Sequence, residues 1–263
     1  MNIVKLKIGN SPLTPPPMLI ALSTESISGY GLNRIFQFAK EAGFDGVDLA
    51  MDTAEFDTLD GDYIKEIGDA TQMPVVCLQA PKKTSQTRVQ EAVELAKKLG
   101  ARIVILQPPK ILEVKLAKWL KTEIPKIRQR QDISIALENG SSKTMLGFIP
   151  ENAMNSVSEL KKFKHVCLDT SRVAESREDL IRVYTSLKAF LVHVHVSNVY
   201  RGKPYAPPEE GILPLESFLS KLKQDGFQGA ISLRVNPKHY HVGNREKMLQ
   251  DLKNSLAYCR KYL

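Results

Sequence analysis

The segment AISLRVNP, residues 230–237, has the pattern of a buried strand, yet it carries a permanently charged side chain, Arg234. Side chains alternate across a strand, so Ile231, Leu233 and Val235 share one face while Ala230, Ser232 and Arg234 share the other. Three more segments run the same way. ISIALEN sets Ser134, Ala136 and Glu138 on one face, HVCLDTS sets His165, Cys167 and Asp169, and LVHVHVSN sets His193 and His195 opposite Val192, Val194 and Val196. Two carboxylates and an imidazole on successive strands have the chemistry of a divalent-metal site for Mn²⁺, Mg²⁺, Co²⁺ or Zn²⁺. A guanidinium beside them suits either a bidentate ion pair or an anionic ligand. Earlier segments add Ser23, Asp48, Gln79 and Gln107 at the corresponding late positions. Unpaired buried polar groups cost about 1–3 kcal/mol each. A polar side chain at the end of every strand therefore reads as a site rather than as core.

The elements that must position these residues follow from the pattern of the whole chain. Strand-like runs LIALST, GVDLAM, PVVCLQA, RIVILQP, ISIALEN, HVCLDTS, LVHVHVSN and AISLRVN alternate with helical stretches. In TRVQEAVELAKKLG, for example, apolar residues recur at three- and four-residue spacing and Gly100 closes the helix. Strict alternation predicts a parallel α/β architecture, and eight strands predict a closed (β/α)8 TIM barrel, a fold of about 250 residues whose sites lie at the C-terminal face. The 263 residues divide into an N-terminal extension, 1–17, holding IVKLKIG and the proline-stiffened SPLTPPP, and a single barrel domain, 18–263.

Composition, 43% hydrophobic and 25% charged, is that of a globular protein. The net charge of +8 is spread along candidate helices such as KLAKWLKTEIPKIRQRQ, as on solvated helix faces. Three cysteines, Cys77, Cys167 and Cys259, lie far apart with no CxxC spacing, which predicts reduced thiols and a cytoplasmic protein. No apolar run has the length of a signal peptide or a membrane span.

The motifs GFDGVDL, IALEN, VCLDTSR, VHVHVSN and GILPLESFLSKLKQDGFQGAISL together resemble the xylose isomerase-like barrel superfamily of sugar-phosphate isomerases and epimerases, which includes the AP endonuclease family. The likeness runs from about Leu19 to the C-terminus. It implies a Glu ending strand 5, an Asp ending strand 6, a His on strand 7 and a Glu ending strand 8, four ligands to one divalent metal, with the two Glu residues shuttling a proton across the substrate carbon. Glu138, Asp169 and His195 match the first three positions. The fourth is Arg234. Arg172 stands where the pattern often has His, and Asn198 where it often has Asp. Guanidinium or amide thus replaces acid or imidazole three times, leaving a degenerate metal site.

Three roles are open to Arg234: filling the metal's place between Glu138 and Asp169 so that no cofactor is needed, binding an anionic substrate with Arg172, Lys203 or Lys238, or turning outward and leaving a three-ligand metal site. The long loop NVYRGKPYAPPEEG, with Tyr200, Arg201 and Lys203, reads as either a substrate loop or a rigid surface excursion. His193 reads as a hydrogen-bonded core residue, His239 and His241 as surface, and Trp119 as helix packing.

Two functions follow. The first is a sugar or sugar-phosphate isomerase/epimerase-like enzyme with its site at the barrel mouth. Its acid–base group would be Glu138, its metal ligands Glu138, Asp169 and His195, and its substrate contacts Arg172, Arg234, Asn198, Gln79 and Lys203. Without a second strand-end Glu, only one-base proton transfer is open to it. The second is a non-catalytic, metal-free barrel binding a sugar or anionic metabolite. Either accommodates a homodimer. Nucleic-acid repair, which resembles a His-rich multi-zinc site, is disfavoured with Gln79 and Gln107 on strands 3 and 4.

Overall fold

The computed structural model describes residues 18–141 and 143–263. The extension predicted for residues 1–17 lies outside them. Eight parallel strands close on themselves: β1 (Ile20–Ser23), β2 (Gly46–Ala50), β3 (Val75–Gln79), β4 (Ile103–Leu106), β5 (Ser134–Glu138), β6 (Val166–Asp169), β7 (Leu191–Val196) and β8 (Ala230–Leu233). Closure is direct, since β1 pairs with β2 through Ser23 opposite Asp48 and with β8 through Leu22 opposite Leu233. These are the strands expected from the alternation.

The outward strand faces carry β-branched and leucine side chains such as Leu22, Val47, Ile135, Leu168, Val194 and Ile231, which bury against the surrounding helices in one continuous core. Local chemistry sets the helix ends. The helix Gln86–Leu99 starts on Ser85, whose hydroxyl accepts from the Arg88 N–H, and stops at Gly100 in the left-handed conformation (φ 72°). Trp119 packs on the core from the helix Val114–Gln131. Among the described residues no helix is long and apolar enough to cross a membrane.

The barrel interior is filled differently. Its lower layer is small and compact, formed by Cys77, Ile105, Ala136 and Cys167. Above it the inward side chains are polar. One expectation fails here. The register between β6 and β7 slips, Val166 facing Leu191 and Cys167 facing His193, so Val192 is an extra bulged residue. Val192 packs on the interior cluster and Leu191 takes the helix-facing place. The long loop after β7 is also more regular than its composition implies. It forms an antiparallel hairpin, Asn198–Tyr200 with Lys203–Ala206, turning at Arg201 and Gly202.

Candidate functional site

Strand ends bring Glu138, Asp169, His195 and Arg234 together at the C-terminal mouth, each nearly or fully buried. Arg234 follows β8 and reaches across the barrel axis. Its Nη1 donates to Glu138 Oε1 (2.8 Å) and Asp169 Oδ2 (3.4 Å), while Nε and Nη2 both reach Glu25 Oε2 at 2.8 Å. Glu25 is held in turn by Lys82 (2.8 Å). His195 bridges two carboxylates, with Nδ1 2.5 Å from Glu138 Oε1 and Nε2 3.1 Å from Asp48 Oδ2. Asp48 also accepts from Gln79 Nε2 (2.8 Å), which donates to Ser23 Oγ as well (3.2 Å).

Arg172 enters from the first turn of the helix Thr170–Glu175. Asp169 caps that helix, its Oδ1 accepting the Arg172 N–H at 3.0 Å. The Arg172 guanidinium lies 3.6 Å from Glu138 and 3.7 Å from Asp169, and its Nε donates to the Tyr205 hydroxyl at 3.0 Å. Asn139, next to Glu138, clamps the ends of β5 and β6 by exchanging two hydrogen bonds with the Asp169 backbone.

The charges follow from these contacts. Burial alone would raise the Glu138 carboxyl, but Arg234, then Arg172 and His195, outweigh it and hold the group well below the usual carboxylate range. Asp169 is shifted upward, by burial first and then by the Glu138 charge, against the pull of the two arginines. Burial disfavours the His195 cation, yet its neighbours Cys167, Glu138 and Asp48 hold it well above the normal imidazole range. Burial raises the Cys167 thiol to about 11, so at neutral pH the two carboxylates are what sustain that cation. His193, one layer deeper, is pushed down to about 3 by burial and the His195 charge. It is a neutral core imidazole hydrogen-bonded to Ser232 (2.9 Å).

Above this layer lies an open cavity of about 870 Å³, lined by Glu25, Lys82, Gln107, Arg172, Tyr205 and Arg234 among others. Glu138, Asp169 and His195 are buried and do not line it; the two guanidinium groups that do line it pair with Glu138 and Asp169.

Not every candidate from the sequence reaches the cavity. Asn198 is committed elsewhere: its Nδ2 donates to the Pro208 carbonyl and its Oδ1 accepts from Val199 and Leu213 N–H groups. It holds the hairpin loop in place of contacting a ligand. Lys203 is exposed on the hairpin and does not line the cavity. Gln79 is buried behind it, oriented by Asp48 and Ser23. The outward-turned role for Arg234 is contradicted by its 6% exposure. His241 pairs with Asp251 at an exposed site lining a separate depression.

Three contributors were missed. Glu25 lies in the short 3-10 helix Thr24–Ile27 after β1 and Lys82 in the loop after β3, so strand parity reaches neither. Tyr205 had no local signal, because only the hairpin folds it back over the mouth. Its backbone is left-handed (φ 64°), a strained conformation for an aromatic residue, and is tied down by Ser171 Oγ on its N–H (3.1 Å) and the Asn236 N–H on its carbonyl (2.8 Å).

The atoms that would hold a divalent ion can be tested directly. Glu138 Oε1, Asp169 Oδ2 and His195 Nδ1 all lie within 3.4 Å of Arg234 Nη1. An ion at typical bond lengths of about 2.0–2.2 Å from these ligands would need the space that this nitrogen fills. The donor set does not fit a metal with Arg234 in place.

A family model described as a xylose isomerase-like TIM barrel matches residues 36–261. An uncharacterized protein of Mycobacterium leprae is 24% identical, the alignment covering 94% of this chain and 99% of that one. Among solved structures, 3-keto-D-glucoside 4-epimerase from E. coli superposes with a TM-score of 0.70 at 14% identity, covering 93% of this chain and 100% of that one. D-Psicose 3-epimerase from Clostridium cellulolyticum H10, solved with D-tagatose, gives 0.71 at 12% identity over 94% and 99%. At these identities the likenesses establish a common fold.

Proposed function

The chain belongs to the xylose isomerase-like TIM barrel family, and from that premise we propose a sugar isomerase/epimerase-like barrel that binds a sugar or related polyol at its mouth without a resident metal ion. The observation that carries the reading is the position of Arg234 Nη1 amid Glu138, Asp169 and His195. A guanidinium cannot be deprotonated in a protein and satisfies carboxylates without an ion. Structural kinship with two sugar epimerases supports the ligand class.

Each polar residue then has a part. Arg234 pairs with Glu25, Glu138 and Asp169, sharing their charge with Lys82, Arg172 and His195, and forms part of the cavity wall. His195 fixes Glu138 from below and is fixed by Asp48. Glu138, the acid–base candidate, is a weak base in this setting: it is held below its ordinary range, and the arginines separate it from the cavity. This favours binding over proton transfer. A one-base isomerisation would require the ligand to draw Arg234 and Arg172 away.

Incubation with a panel of monosaccharides in D₂O, with chelator present, tests the reading by NMR. The expected result is saturable binding with no deuterium entering a C–H position. Binding that requires added metal, or deuterium incorporation abolished by Glu138→Gln, would overturn it.

A further inference from the structure

The two arginines of the mouth are not equivalent. Arg234 engages carboxylates through all three side-chain nitrogens. Arg172 donates through Nε alone, to Tyr205. Among the described residues its Nη1 and Nη2 make no hydrogen bond, the nearest carboxylate oxygen to Nη2 being Glu138 Oε2 at 3.6 Å. Its side chain is 12% exposed and lines the cavity. The Tyr205 oxygen accepts the Arg172 Nε–H, and its own phenolic proton reaches no acceptor among the described residues. Tyr205 lines the same cavity, and its strained backbone is pinned from both sides.

Two guanidinium nitrogens with unspent donors, beside a phenol with an unspent proton, form a receptor for an oxyanion. We infer that Arg172 and Tyr205 together bind the carboxylate of a sugar acid, an aldonate or uronate, at the barrel mouth. The inference rests on the proposed polyol-binding role and names its ligand class. The edge of a guanidinium is planar and forked, which matches the two oxygens of a carboxylate. The phenol then adds a third donor. Arg234, saturated by Glu25, Glu138 and Asp169, serves as scaffold and not as receptor. Lys82, paired with Glu25 and 71% exposed, lines the same cavity.

Calorimetric titration in chelator with aldoses, each paired with its aldonate, uronate and 6-phosphate, tests this. At least one sugar acid should bind about tenfold or more tighter than its parent aldose. Tyr205→Phe should weaken the acid about tenfold, a larger loss than for the parent aldose, and keep the melting temperature. Arg172→Lys should weaken the acid further, because an ammonium has no fork, and Lys203→Ala should change nothing. Equal affinity for acid and parent aldose would overturn the carboxylate assignment while leaving polyol binding standing. A 6-phosphate preferred over both acids would replace carboxylate by phosphate and overturn it too. Sugar-acid binding insensitive to Tyr205→Phe would remove Tyr205 from the receptor. No binding by any of the four classes would overturn the polyol reading itself, and this inference with it.

Discussion

At the scale of single residues the mouth is governed by one substitution of charge type, a guanidinium among carboxylates. Taking a charge from water is costly, and a buried ion pair returns that cost only when its partners are well placed. Arg234 meets the condition through Glu25, Glu138 and Asp169 together, with Lys82 closing the far side of Glu25. Arg234→Leu leaves buried acids uncompensated. It should cost about 3–5 kcal/mol in urea-induced unfolding. Arg234→Lys should be intermediate, since an ammonium cannot reach Glu25 and Glu138 from opposite edges. A loss below about 1 kcal/mol for the leucine variant would mean that the acids find other partners. Glu138→Gln should be milder, because the arginines keep Asp169 and Glu25.

Among the elements, the hairpin Asn198–Ala206 aims Tyr205, and its anchor is Asn198. That side chain is 2% exposed and makes three hydrogen bonds to the loop backbone, so Asn198→Ala strands buried N–H and C=O groups. The variant should lose about 1–3 kcal/mol and show faster amide exchange over residues 199–213, with exchange in the barrel strands unchanged. Gly211 reinforces the clasp. Its φ is +133°, and a Cβ there would lie 2.5 Å from Asn198 Oδ1, so Gly211→Ala should loosen the same segment. Much of the barrel was legible in the sequence because strand alternation and helix periodicity are local signals. The inward positions of Glu138, Asp169, His195 and Arg234 followed from parity alone. Parity failed at Val192, where a one-residue bulge shifts the count, and it was silent on Tyr205, whose position depends on a hairpin closing over the mouth. Asn198 followed from the family resemblance and Lys203 from the charge of the loop, and neither signal reveals that the loop closes into a hairpin that uses Asn198 as its anchor and leaves Lys203 exposed.

For the whole molecule, the buried imidazoles set how stability depends on pH. His195 is raised in the fold, so its stabilising contribution is complete below the unfolded value of about 6.5 and is lost as pH rises through the folded value. His193 and His165 are lowered, to about 3 and about 4, chiefly by burial, with the His195 and Arg128 charges adding respectively. Their contributions are present above about 6.5 and are lost as pH falls. Stability should therefore peak near pH 6.5, with these two histidines taking up nearly two protons on unfolding around pH 5. Glu138 and Asp48, both lowered, extend the acid limb below about pH 4, and Asp169, raised, partly offsets them. Urea midpoints across pH 4–9 check this, and a flat profile would contradict it. The central claim is that a guanidinium stands where related barrels are expected to hold an ion. Its most direct test is titration of the purified, chelator-free protein with Mn²⁺, Co²⁺ and Zn²⁺, followed by melting temperature and elemental analysis. The account predicts no bound metal in near-stoichiometric amount and no rise in melting temperature. Stoichiometric metal lost on Asp169→Asn would contradict it.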